Sequence, residues 1–304
     1  TNFGMISLLN HLCCFINIVI EILREEEVAM SKSSTLTQKL ALVTGAGSGI
    51  GRATAILLGQ LGARVIICDR NPSSLQETAT LLQNNGVEVY SETADVSDWQ
   101  AMQALAARIH NKHGALDILI NNAGVATSGD FLSTPIEDWN WVFSINVMGV
   151  VHGCKAFGAA MAERGSGHIV NIASAAGYYA APDMSAYSAS KHAVMGLTES
   201  LRIEMAEFNV GVSAICPGVI NTNIVSAMRT NGQLVEAQSK IVDIYKKRNY
   251  GPEGVAAAVV SAIVHNRSIV PVSPEAWVLY AGKRLVPEMM DMVQRTPLFR
   301  KLKP

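Results

Sequence analysis

Leu40-Ala41-Leu42-Val43-Thr44-Gly45-Ala46-Gly47-Ser48-Gly49-Ile50-Gly51 sets an apolar run of strand length against a cluster of glycines, and the helix-prone Arg52-Ala53-Thr54-Ala55-Ile56-Leu57-Leu58 follows at once. The order strand, glycine turn, helix carries the information. Glycines let the backbone turn tightly and approach a pyrophosphate, while the free amides and positive end of the next helix attract the anion. A glycine-rich string alone is equally an ordinary turn. In this context it reads as a dinucleotide cradle, with Gly45, Ser48, Gly49, Ile50 and Gly51 as its members. Asp69 closes the next apolar run, where an acidic side chain accepts hydrogen bonds from the adenosine ribose hydroxyls and repels a 2′-phosphate. Arg70 has the charge to pair with such a phosphate, but Ser48 supplies no second basic group, so NAD is favoured over NADP. The plainer reading of Asp69 is a helix cap or a solvated strand end.

Outward from this stretch, apolar β-rich runs alternate with helical ones, the signature of a parallel sheet covered on both faces. Strands are expected over 40–43, 64–68, 87–90, 116–120, 168–172, 210–215 and 268–272. Most are apolar throughout, as strands buried on both faces are. Helices are expected over 98–113, with Asp98 as cap, and 186–208. The fold class is therefore α/β, a doubly wound parallel seven-stranded sheet with helices on both faces. With no Pro/Gly/Ser-rich linker, 39–304 reads as one domain.

The chain has 304 residues, 49% hydrophobic and 16% charged, enough for a large core, and its net charge of -1 gives no basic excess to recruit nucleic acid or an anionic membrane. Its five cysteines show no C-x-x-C spacing and no neighbouring His cluster, so neither a metal site nor a disulfide framework is expected, and a cytoplasmic location fits. Cys68 and Cys216 sit in apolar runs and read as small buried hydrophobes.

Residues 1–38 form an N-terminal extension. The run from Met5 to Leu23 is apolar but interrupted by Asn10, His11, Asn17 and Glu21, a poor match to the span of about 20 apolar residues that crosses a bilayer. It also lacks the basic start and small-residue cleavage site of a signal peptide. Three Glu codons just before Met30 are what a translated ribosome-binding site produces, so one reading takes Met30 as the start and the residues before it as translated leader. An N-terminal membrane anchor is the rival reading.

Tyr187-Ser188-Ala189-Ser190-Lys191 opens a helical run, and the i, i+4 spacing puts phenol and ammonium on one face. A free tyrosine titrates near pH ~10, and a neighbouring cation favours its phenolate, bringing it toward service as an acid and base. Such pairs are common on plain helix surfaces. Here, however, Ser174 ends the run 168–172, and the carboxyl ends of parallel strands are where ligands lie, so its hydroxyl is placed to donate to a carbonyl oxygen.

With these residues in view, the sequence resembles the short-chain dehydrogenase/reductase family over about 39–222. Thr44 to Gly51 is similar to its cofactor fingerprint, Asn121-Asn122-Ala123-Gly124 to its strand-four motif, and Ser174, Tyr187 and Lys191 to its catalytic set. The resemblance implies a Rossmann fold and NAD(P)-dependent hydride transfer on a secondary alcohol or ketone, an apolar one, with Lys191 also reaching the nicotinamide ribose. It makes Asn146 the fourth catalytic member, holding a water that links Lys191 to solvent. It assigns Asp95 and Val96 to adenine, Asn122, Ala123 and Gly124 to the cleft, and Pro217, Gly218, Ile220 and Thr222 to the nicotinamide carboxamide. The plainer readings are that Asn121 and Asn122 satisfy buried backbone groups and that Pro217-Gly218 ends a strand. It further implies a homodimer or homotetramer, although the tail 273–304 lacks the family's usual short ending. Residues 222–250 would form a substrate lid, with Ile224, Val225, Met228, Leu234 and Ile241 as its apolar lining or simply as a buried helix stripe. Two alternatives remain: a membrane-anchored lipid or steroid dehydrogenase, and a non-catalytic NAD(H)-binding protein.

Overall fold

The computed structural model describes residues 36–232 and 250–295. The expected leader, lid residues 233–249 with Leu234 and Ile241, and the tail beyond 295 lie outside the described residues. Nine strands are described: β1 (Leu40–Thr44), β2 (Arg64–Asp69), β3 (Val89–Thr93), β4 (Ile118–Asn121), β5 (Thr127–Ser128), β6 (Gly167–Ile172), β7 (Val210–Pro217), β8 (Arg229–Thr230) and β9 (Ile269–Val272). Seven of them make one parallel sheet in the order β3-β2-β1-β4-β6-β7-β9, and β5 pairs with β8 apart from it. Besides the single turn Asn223–Ser226, the α-helices are α1 (Gly49–Gln60), α2 (Pro72–Asn84), α3 (Trp99–His113), α4 (Ile136–Phe143), α5 (Gly149–Arg164), α6 (Ser185–Ala206), α7 (Pro252–Val264), α8 (Pro274–Leu285) and α9 (Pro287–Arg295).

Both faces of the sheet are sealed, which is why its strands read as unbroken apolar runs. Leu40, Leu42, Ile66 and Leu119 face a core closed by Leu105 of α3, Phe157 of α5 and Val194 of α6. Their neighbours Ala41, Val43, Ile67 and Ile120 face a second core closed by Leu58 of α1, Leu82 of α2 and Val259 of α7. Asp98 caps α3 as expected, accepting from Gln100 N at 2.8 Å and Ala101 N at 3.1 Å. The third strand lies two residues later than the apolar signal at 87–90 suggests. Val87 instead closes the turn after α2, its amide donating to Leu82 O, and the strand itself is an edge whose Ser91, Glu92 and Thr93 need not be apolar. The helical run Ile136–Arg164 is long and apolar enough to cross a membrane, but half of its most apolar window is buried inside the domain, as in a core helix.

From β1 the chain winds outward to β2 and β3, then returns beside β1 at β4 and winds the other way. The crevice at the carboxyl ends of β1 and β4 is thus the topological switch point, where ligands bind in such sheets.

At the opposite end of the sheet His168 is buried at the start of β6, its Nε2 2.8 Å from Ser213 Oγ. Burial, reinforced by the Arg202 charge, pulls its pKa down to about 4. A neutral imidazole in the fold and an ordinary one near pH ~6.5 in the unfolded chain means that the unfolded state takes up the proton first. Stability from this site is complete above about pH 6.5 and falls toward pH 4, by about 3 kcal/mol. Urea unfolding of wild type and His168→Asn between these limits should show a difference that shrinks on acidification; a constant difference would place the titration elsewhere.

Candidate active site

The end of β1 is locked to the end of β4 by side chains the glycine pattern does not advertise. Thr44 Oγ1 donates to Ile120 O at 3.3 Å and accepts from Asn122 N at 3.0 Å and Ala123 N at 3.2 Å. Asn122 Nδ2 returns two bonds, to Thr44 O at 2.9 Å and Gly45 O at 3.1 Å. The result is a turn with φ +64° at Gly45 and +53° at Gly49, left-handed values that favour glycine. At Gly51 the constraint is proximity: an added Cβ would collide with Gly45 O and Asn122 Nδ2. Arg52 secures the outside, donating to Gly47 O, to Thr78 Oγ1 at 2.9 Å and to Glu77 Oε2 at 2.9 Å. Ser48 makes no side-chain cap bond and the first turn of α1 holds no acidic residue, so its amides are available to an anion. Gly45, Ser48, Gly49 and Ile50 line a cavity of about 800 Å³. A cradle with no room for a Cβ at Gly45, Gly47 or Gly51, opening on an uncapped helix N-terminus, fits a pyrophosphate.

Asp69, Arg70, Asp95 and Val96 line the same cavity at the ends of β2 and β3. Asp69 accepts from Gly47 N at 2.9 Å through Oδ2 and from Asn71 N at 3.0 Å through Oδ1. A carboxylate has about four lone-pair sites, so two remain for hydroxyl donors. Arg70 is exposed. His152 Nδ1 donates to Val96 O at 2.8 Å, fixing the tautomer of that ring and the course of the Asp95-Val96 segment.

The polar groups of the proposed chemistry gather at the ends of β6 and β4. Ser174, just past β6, donates through Oγ to Pro217 O at 3.4 Å and accepts from Ala176 N at 3.1 Å. In α6, one turn separates Tyr187 from Lys191, whose Nζ lies 5.8 Å from the centre of the phenol ring. Lys191 is buried and donates to Ile172 O at 2.9 Å. Burial lowers its pKa to about 8. Asn146 sits in the π-helical turn Ser144–Met148 and is wholly enclosed. Its Oδ1 accepts from Val125 N at 2.9 Å, while Nδ2 donates to Val125 O at 2.9 Å and Ser190 Oγ at 3.1 Å. Its side chain thus braces the segment after Gly124 against α6 and does not itself line the cavity.

The lowered Lys191 value has a measurable consequence. Its ammonium loses a proton, and with it charge and a donor, as pH rises through about 8. Affinity for NAD(H) in the absence of substrate should therefore fall above about pH 8, by no more than about tenfold per pH unit. In Lys191→Arg, which stays charged, this dependence should vanish even though the overall affinity is lower. A wild-type Kd that stays flat from pH 7 to pH 9.5 (roughly the window set by that lysine) would count against the assignment.

Ala123, Gly124, Ser174, Tyr187, Lys191, Pro217, Gly218, Ile220 and Thr222 all line the cavity, together with Asn122. Gly51 and Asn146 alone among the expected residues act from behind its wall. Ile224, Val225 and Met228 line it as anticipated for the lid. The sequence reading missed Glu275 and Leu279, which α8 brings into the wall. Their available signal is position: Glu275 follows closely after the carboxyl end of β9, at the ligand side of the sheet. Cys68, Cys154 and Cys216 are free and buried, and burial pushes each thiol up to about 12, consistent with inert packing groups.

A crevice of this construction, at the switch point of a Rossmann-type sheet, is of the kind that accepts a dinucleotide. The profile of the family described as short chain dehydrogenase matches residues 39–233, and the chain belongs to the short-chain dehydrogenase/reductase family. It is 41% identical over 263 residues to the Mycobacterium tuberculosis protein named "Probable oxidoreductase EphD", covering 84% of this chain and 44% of that one. The chain thus spans less than half the length of that relative. A Burkholderia phymatum short chain dehydrogenase/reductase solved in complex with NAD is 34% identical, with a TM-score of 0.78 over 86% of this chain and 97% of that one. A Beutenbergia cavernae protein solved with NADP at low occupancy is 30% identical, with a TM-score of 0.68 over 77% and 94% of the two chains. The fold similarity extends to proteins holding either nucleotide.

Proposed function

We propose that the protein catalyses reversible hydride transfer between NAD(H) and a neutral, largely apolar secondary alcohol or ketone. One observation carries this reading: the Lys191 ammonium lies 5.8 Å from the Tyr187 ring in the wall of the cavity that also holds Ser174 and the glycine turn. Bound NAD(H) supplies or accepts the hydride. The chain's own groups handle the rest. Ser174 Oγ turns its single proton from the long 3.4 Å bond with Pro217 O to the carbonyl oxygen and holds it. Tyr187 gives that oxygen a proton during reduction and takes one from the alcohol during oxidation. Lys191 favours the phenolate by its charge and binds ribose hydroxyls with its remaining donors. Asn146 keeps α6 in register with the segment after β4. Pro182, Met184, Ile224, Val225, Met228 and Leu279 make the wall on this side mostly apolar, with Asp183 and Glu275 as its charged members, which supports a largely apolar substrate.

NAD is the proposed nucleotide because Asp69 places a negative charge where a 2′-phosphate would lie. A cytoplasmic homodimer or homotetramer remains the proposed working form. The test is a panel of neutral secondary alcohols and ketones assayed with NAD(H) and NADP(H) in parallel. Turnover that disappears in Tyr187→Phe supports the reading. NAD(H) binding with no turnover on any member would favour a non-catalytic nucleotide-binding protein.

A further inference from the structure

The helix after the last strand contributes a carboxylate to the cavity, and its tether is specific. Glu275 Oε1 accepts from Val219 N at 3.0 Å. Gly218 passes so close that an added Cβ would stand 2.5 Å from Glu275 Oε1 and 2.5 Å from Ser273 Oγ. The same turn is pinned to β9 by Gly218 N donating to Val272 O at 3.0 Å, and it adjoins Ser174 through Pro217 O. On the other side of the helix, Tyr178 Oη donates to Ala276 O at 2.8 Å, tying α8 to the segment that follows Ser174. The carboxylate is thus held against the turn beside the hydroxyl that meets the substrate carbonyl. Hydride transfer requires the nicotinamide ring at that same place.

The two redox states of that ring differ in charge: oxidised nicotinamide is cationic, reduced nicotinamide is neutral. The buried Lys191 ammonium in the same cavity disfavours a second positive charge. A carboxylate nearby offsets it, and the first turn of a helix is a favourable place for that charge. We propose that Glu275 sets the balance between the two forms of the cofactor, its carboxylate favouring bound NAD+ over bound NADH. The inference rests on the dehydrogenase reading above.

The measurement is Kd for NADH, by its fluorescence on binding to the full chain, and Kd for NAD+, by competition. Glu275→Gln keeps an acceptor for Val219 N and removes the charge. It should raise Kd(NAD+)/Kd(NADH) by about five-fold, a Coulomb effect at the separation of a cavity wall from its contents. Glu275→Asp should leave that ratio near wild type. Comparing Glu275→Asp with Glu275→Asn repeats the contrast with a shorter side chain, so the loss of one variant to misfolding still leaves a reading. An unchanged ratio in the neutral variants, or equal weakening of both forms, overturns the inference and reduces Glu275 to a mechanical brace. The same ratio shift in Asp183→Asn but not in Glu275→Gln assigns the effect to a different carboxylate of the cavity and overturns it too. Failure of wild type to bind either form overturns the dehydrogenase reading itself, a result distinct from these.

Discussion

Tyr187→Phe is expected to lower kcat/KM by about a thousand-fold in both directions while leaving Kd for NAD(H) within about a factor of two. The substitution removes one oxygen and keeps the ring that packs beside Lys191. General acid and base catalysis by a positioned group contributes about 10²- to 10⁴-fold, and the other members of the set are already committed. Ser174 Oγ is engaged with Pro217 O and Ala176 N, and Lys191 Nζ with Ile172 O. The split between kcat and cofactor affinity is the diagnostic part. Tyr187→Phe should weaken chemistry alone, whereas Lys191→Met should weaken chemistry and nucleotide binding together, because the ammonium faces both. A Tyr187→Phe protein that retained a tenth or more of wild-type kcat/KM (far above the roughly thousand-fold loss expected of a missing general acid) would remove the phenol from the mechanism.

What the sequence made legible follows from how each feature is encoded. The glycine turn and the Tyr187, Lys191 pair are local: a few neighbouring residues specify a backbone path or a helix face, and the spacing can be read directly. Ser174 was legible because its strand was, and the ligand side of a parallel sheet lies at the carboxyl ends of its strands. Glu275 was not, because its relation to Val219 exists only once β7 and β9 lie side by side. Asn146 shows a different limit. The resemblance singled it out, but the π-helical turn Ser144–Met148 that aims its side chain at Val125 could not be read from the sequence, because no hydrophobic periodicity announces such a turn. Asn122 is the case in which two readings both hold: its side chain satisfies the Thr44 and Gly45 carbonyls, and the residue lines the cleft. The edge strand β3 was misplaced for the opposite reason, since Val87 and Val89 give an apolar signal but only the second belongs to the ladder.

Asp69→Asn is expected to reduce the preference for NAD over NADP by about a hundred-fold in the ratio of kcat/KM values, mostly by admitting NADP. The wild-type carboxylate receives Gly47 N and Asn71 N, which holds it beside the glycine turn. In the proposed reading its remaining lone pairs accept ribose hydroxyls and its charge repels a phosphate in their place. Asparagine retains an acceptor for one of the two amides, so the turn keeps part of its support while the charge is lost. The neighbouring Arg70 is already exposed at the cavity rim, and a guanidinium pairs with phosphate through two hydrogen bonds. Adding Arg70→Ala to Asp69→Asn should therefore take back roughly tenfold of the gain with NADP and change little with NAD. The double variant separates two contributions that a single substitution merges: repulsion from position 69 and attraction from position 70. If wild type already turns over NADP as well as NAD, the Asp69 carboxylate is not discriminating, and its bonds to Gly47 and Asn71 are its whole role.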